Sequence, residues 1–151
     1  MTAAVRPREY RTLFLSDFHL GTKGCQVGQL INFLINHEAQ TIYLVGNIID
    51  GWQLGTRWHW PEEHALVLQC LMAKARRGTR LVYVPGNHDE FARAHVGTRS
   101  ELIEFEDQIV HEAADGKRYL VVHGDCFDFV QSEARWLAFL GDYAYVAALT
   151  L

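Results

Sequence analysis

Thr12-Leu13-Phe14-Leu15-Ser16-Asp17-Phe18-His19 carries the first statement of a pattern that decides the fold. Thr12 to Ser16 reads as a short apolar strand that runs straight into Asp17 and His19, so β-favouring backbone delivers an acid and an imidazole to its carboxyl end. The pattern recurs. Thr41 to Val45 precedes Gly46-Asn47-Ile48-Ile49-Asp50, Arg80 to Val84 precedes Pro85-Gly86-Asn87-His88-Asp89, and an apolar run ending at Val122 precedes His123-Gly124-Asp125. In open α/β sheets the loops beyond the carboxyl ends of the strands form the ligand crevice, so clusters placed there can meet around one polar centre.

Helical signals fill the intervals between these strands. Gly28 to Glu38 places Leu30, Phe33, Leu34 and His37 at helical spacing. After the aromatic-rich segment Gly51 to Trp60, Pro61 sits where a first helical turn accepts proline. Glu62 and Glu63 favour the positive end of a helix running to about Arg77, and Gly78 is placed to end it. From about Glu101 to Val122 the chain reads as two strands joined at Asp115-Gly116, a hairpin signal. Strands alternating with helical crossovers predict an α/β fold with a largely parallel sheet. No internal repeat, low-complexity tract or linker marks a second complete domain.

At 151 residues, 49% hydrophobic and 21% charged, the chain suits one domain with its own core. The net charge of −4 gives no general attraction for nucleic acid, and the basic residues Lys74, Arg76, Arg77 and Arg80 read as a solvated helix end. Cys25, Cys70 and Cys126 are odd in number and widely spaced, which fits a reducing compartment better than a disulfide framework. Met1 to Arg11 is short, polar and basic, not a signal peptide, and no run of about 18 apolar residues is present. A cytoplasmic protein is expected.

The chemistry rests on residue types. Asp17 and His19, as alternate residues of an extended segment, are expected to point the same way and grip one cation with an oxygen and a nitrogen. Alone, such a pair is as well read as a turn aspartate beside a surface histidine. The other clusters reverse that preference: the Asn87 side-chain oxygen can ligate a second cation, His88 can face a substrate, and Asp89 can orient a histidine from behind. His123 adds an imidazole at a strand end, and Gly124 lets backbone approach closely.

These motifs, in this order and spacing, resemble the calcineurin-like metallophosphoesterases. The flanks Leu15-Ser16-Asp17-Phe18-His19-Leu20-Gly21, Ile49-Asp50-Gly51-Trp52 and Arg135-Trp136-Leu137-Ala138 are similar to the UDP-2,3-diacylglucosamine diphosphatase branch. The resemblance implies the metallophosphoesterase-type α/β sandwich, of which residues 1–151 would be an incomplete, N-terminal portion. It implies a two-ion divalent metal site, most simply Mn2+, with Asp17 and His19 on the first cation, Asn87 and His123 on the second, and position 47 bridging them. His88 and Asp89 would be catalytic, with Asp50 and Asp125 standing behind the ligands. The reaction implied is in-line attack of water at phosphorus, releasing UMP from a phosphorylated glycolipid nucleotide at the inner membrane face, where contact would be peripheral. Trp52, Trp58 and Trp136 are candidates to wall a substrate pocket, although aromatics after a strand more often pack, and Arg93 and Arg99 are candidate phosphate contacts that read singly as solvated surface.

Departures from the family pattern matter as much. Asn47 stands where a bridging carboxylate would screen two dications about 3.5–4 Å apart, and one neutral oxygen cannot fully replace it, so weaker occupancy of at least one cation site is expected. His88 occupies a position where lipid diphosphatases of the branch carry Arg. No histidine follows His123, although the family supplies a late Gly-His-x-His segment, and Ser132 to Leu151 reads as the start of a helical lid insertion. A non-catalytic remnant, binding a phosphate ligand or a partner without turnover, is the competing class. A nuclease would need a basic groove that the charge balance does not favour.

Overall fold

The computed structural model describes residues 6–127. At its centre lies a four-stranded parallel sheet of β1 (Arg8–Leu15), β2 (His37–Val45), β3 (Arg80–Val84) and β4 (Glu104–Phe105), in the order β1-β2-β3-β4. The register sets Leu13 beside Ile42, Ile42 beside Leu81 and Val82 beside Glu104. Helix α1 (Val27–Asn36) joins β1 to β2, while α2 (Gly51–Thr56) and α3 (Glu62–Arg76) join β2 to β3. Parallel neighbours require such crossovers, which is why strand and helix signals alternate along the chain. The strands β5 (Gln108–Glu112) and β6 (Arg118–Val122) form a separate antiparallel pair.

Side-chain alternation along β2 and β3 builds two apolar layers from one run of sequence. Ile42, Leu44, Leu81 and Tyr83 face Leu34 of α1 and Val67 and Leu71 of α3. Tyr43, Val82 and Val84 face the other way and meet Val121 of β6, with Val45 and Ile109 packed alongside. The sheet is thus covered by helices on one face and by the hairpin on the other. Complete burial of a leucine such as Leu44 or Leu71 contributes about 1.5–3 kcal/mol. No described helix is long and apolar enough to cross a membrane.

Three local expectations need correction. The first helix stops at Asn36, and His37 and Glu38 already belong to β2. The His37 ring stacks on Phe33 at 4.1 Å, and its backbone carbonyl accepts from the buried Lys74 ammonium at 2.8 Å, which draws the chain out of the helix. Pro61 caps α3 from just outside its first turn, with Glu62 and Glu63 inside it. Residues 101–122 hold three strands rather than two: Glu104–Phe105 extends the parallel sheet before the hairpin begins. The hairpin does turn at Asp115-Gly116, with Gly116 at φ 78 and the Ala113 N–H donating to Lys117.

Candidate metal centre

The four polar clusters do emerge together beyond the carboxyl ends of the strands, and hydrogen bonds between loops draw them inward. Asp17 N–H donates to the Gly46 carbonyl at 3.1 Å, His19 N–H to Asn47 at 2.8 Å and Leu20 N–H to Ile48 at 2.9 Å, so the loops after β1 and β2 stay zipped past the end of the sheet. Fully buried Leu20 and Ile48 anchor that zipper in the core. The Asp17–His19 segment is not the extended strand the sequence suggests. Asp17, His19 and Asn47 lie in the left-handed region, at φ 56, 48 and 54. Such a conformation costs a non-glycine residue about 1–3 kcal/mol, and here the inter-loop bonds hold it in place. Left-handed turns, rather than strand alternation, bring Asp17 and His19 to one side.

Asp89 braces the next loop. Its fully buried carboxylate accepts from Ile48 N–H at 2.8 Å, Gly86 N–H at 2.5 Å and the Tyr83 hydroxyl at 2.5 Å. Burial, with this carboxylate beside it, pushes the Tyr83 phenol far up, so the hydroxyl remains a donor. These bonds tie the Asp89 carboxylate to two backbone N–H groups and a hydroxyl, and not to the histidine it was expected to orient. That position in the molecule belongs to Asp50.

Asp50 Oδ2 lies 2.9 Å from His19 Nδ1 and 3.0 Å from His88 Nδ1, and Asp50 Oδ1 accepts from Gln53 N–H at the start of α2. Burial alone would lift this carboxyl; the hydrogen bonds from His19, His88 and Gln53 overturn that and hold it well below the ordinary carboxylate range. A carboxylate can only accept, so each imidazole presents Nδ1–H to it and turns Nε2 away from Asp50. The two rings meet edge to face at 4.7 Å, and Trp52 lies over His88 at 4.2 Å. His19 Nε2 then stands 3.8 Å from Asp17 Oδ1. An acid oxygen and an imidazole lone pair held that close, with a carboxylate fixing the ring from behind, are a donor set that fits a divalent cation. His19, Asp50 and His88 also form a compact group whose ligating atoms all lie within 4.8 Å of one another.

The expected bridge fits less well. Asn47 accepts the His88 N–H on its Oδ1 at 3.1 Å and donates from Nδ2 to Asp17 Oδ1 at 3.2 Å. A hydrogen-bond donor therefore stands where two cations would need a shared anion. His123 packs against Gly46 and Gly86, where a Cβ on either glycine would run into its ring. Its buried Nδ1 pairs with Asp125 Oδ1 at 3.2 Å, without hydrogen-bond geometry among the described residues. Asn87 sits half-buried beside Gly86 on the same loop as His88.

Arg93 and Arg99 both form ion pairs with carboxylates of the chain. Arg93 spans Asp107 at 2.5 Å and Asp125 at 2.6 Å, so two carboxylates already neutralise the guanidinium expected on phosphate. With burial opposing them, His123 and Arg93 hold the Asp125 carboxyl below its ordinary range. Asp107 went unrecognised, since nothing in local spacing marks its tie to a loop arginine. Arg99 pairs with Glu104 at 3.2 Å, a carboxylate that Arg80 also grips at 2.6 Å. Trp58 is 75% exposed and tilts against Trp60 rather than walling the histidines. Trp136 and the lid segment 132–151 lie outside the described residues.

The chain is similar to known proteins. Over 124 residues the chain is 29% identical to the UDP-2,3-diacylglucosamine hydrolase of Blochmanniella floridana, covering 77% of this chain and 48% of that protein. It is 24% identical over 122 residues to the protein of the same name from Psychromonas ingrahamii, covering 76% of this chain and 47% of the other. The chain thus spans about half the length of the curated relatives it matches. Among solved structures, the Pseudomonas putida nuclease MPE matches with a TM-score of 0.37 at 18% identity, over 63% of this chain and 46% of that one. The family model for calcineurin-like phosphoesterases matches residues 10–146, and the chain belongs to that family.

Proposed function

We propose that this chain carries the catalytic loops of a metal-dependent phosphoester or diphosphate hydrolase of the UDP-2,3-diacylglucosamine branch, acting on a glycolipid nucleotide and releasing UMP. The single observation that carries this reading is the Asp50 carboxylate shared by His19 and His88, which leaves Asp17 Oδ1 and His19 Nε2 facing one another. Asp17 and His19 hold a divalent cation, with Mn2+ the best match to a mixed oxygen and imidazole set. When bound, the cation supplies positive charge to the oxygens of the phosphoryl group. His88, held by Asp50 and covered by Trp52, offers Nε2 as a hydrogen-bond partner to a phosphoryl or leaving-group oxygen. Asn87 and His123 complete the polar wall. A cytoplasmic location with peripheral contact at the inner membrane face follows from the lipid substrate.

The test is hydrolysis of bis-p-nitrophenyl phosphate and of UDP-2,3-diacylglucosamine by the purified chain, with and without Mn2+. Manganese-dependent turnover that vanishes in His19→Ala supports the reading. Manganese binding with no turnover on either substrate favours the second reading, a phosphate-binding remnant, for which the Asn47 amide turned toward Asp17 is the specific observation.

A further inference from the structure

We infer that Asn47 is an amide latch that restricts this chain to one divalent cation, held on the His19 side of Asp17. The inference deepens the proposed function and rests on its assignment of Asp17 and His19 to the cation. The orientation of the amide is dictated by its neighbours. A backbone N–H has only a proton to give, so the atom facing His88 N at 3.1 Å must be the Asn47 oxygen. The other end of the same planar group, the NH₂, then meets Asp17 Oδ1 at 3.2 Å.

The amide has little room to do otherwise. Asn47 is 7% exposed and left-handed, and its Oδ1 is seated against Gly86, where an added Cβ would come within 2.5 Å. Flipping the group would set NH₂ against the His88 N–H and oxygen against the Asp17 carboxylate, replacing two hydrogen bonds with donor–donor and acceptor–acceptor contacts. On its Asn47 side, Asp17 Oδ1 is therefore already occupied by an N–H, whose positive end repels a cation. On its other side, His19 Nε2 stands 3.8 Å away, with Nδ1 of the same ring turned to Asp50. One flank of Asp17 accepts a cation and the other does not. The same contact cross-links the loops after β1 and β2 with no metal present, whereas a carboxylate at position 47 would face the Asp17 carboxylate directly.

Titration of Mn2+ alone, followed by calorimetry and by the electron paramagnetic resonance of the free ion, reads the stoichiometry without any substrate. The unsubstituted chain is expected to bind one equivalent. Asn47→Asp is expected to bind a second, tighter by on the order of tenfold or more than any further binding to the unsubstituted chain. Metal-free Asn47→Asp should also melt below the unsubstituted chain and gain more from Mn2+. Two equal equivalents on the unsubstituted chain, or identical stoichiometry and melting for both proteins, would overturn the latch and leave the proposed function standing. No Mn2+ on either folded protein would instead overturn the function and the latch with it. Should Asn47→Asp fail to fold, the stoichiometry of the unsubstituted chain still decides.

Discussion

The two flanks of the candidate centre are built to different standards. Around Asp50 polar groups answer one another: two imidazoles and the Gln53 N–H share one carboxylate. Around His123 the pairing is looser: among the described residues its buried Nδ1 meets the Asp125 carboxylate at 3.2 Å without hydrogen-bond geometry. Native interiors leave few polar atoms unanswered, and each exception calls for a reason. The Asp50 flank is thus preorganised by hydrogen bonds of the chain itself, while the His123 flank is held by a looser ion pair to Asp125.

Four substitutions sharpen or break that contrast. The largest effect is expected from Asp89→Ala, which strands the Ile48 and Gly86 N–H groups and the Tyr83 hydroxyl in the core. A loss of about 3 kcal/mol or more in urea denaturation is expected. A cost under 1 kcal/mol would mean that Asp89 braces nothing. Next, Asp50→Asn removes the anion that holds both imidazoles, and Mn2+ affinity should fall by about 10–100-fold while far-ultraviolet circular dichroism stays unchanged. Unchanged affinity would dissolve the preorganised flank.

His123→Phe tests the other flank. It keeps a ring against Gly46 and Gly86 and removes only a loosely paired nitrogen, while Arg93 still holds Asp125, so folding stability should change by less than about 1 kcal/mol in either direction. A loss matching that of Asp89→Ala would erase the contrast. The smallest effect concerns a pair at the opposite end of β2. Burial opposes ionisation of Glu38, but Lys74, with Arg77, holds its carboxyl below the ordinary value of 4.5. A depressed folded value means that its contribution is complete above about pH 4.5 and fades as pH falls through the folded value. Glu38→Gln should flatten the acid limb of the stability curve slightly and leave Mn2+ binding untouched.

Much of the frame was legible because period and composition are local properties. β3, the acidic opening of α3 and the Asp115-Gly116 turn appear where the sequence places them, while β1 and β2 begin at Arg8 and His37, before the expected Thr12 and Thr41. What escaped depends on partners distant in the chain. The end of α1 is set by Lys74, which is 37 residues from His37. Which carboxylate meets the histidines is set the same way: Tyr83 and the Ile48 N–H claim Asp89, and two histidines claim Asp50. Arg93 looked free for phosphate only because its bonds to Asp107 and Asp125 arise from folding. Residue type was readable at these positions; orientation was not.

The zipper between the loops after β1 and β2 carries one more consequence. Loop amides ordinarily trade their protons with solvent quickly, yet the N–H groups of Asp17, His19 and Leu20 are bonded to carbonyls of the neighbouring loop. Their deuterium uptake should be as slow as that of strand amides in β2. The rim of the pocket would then exchange on the clock of the sheet beneath it.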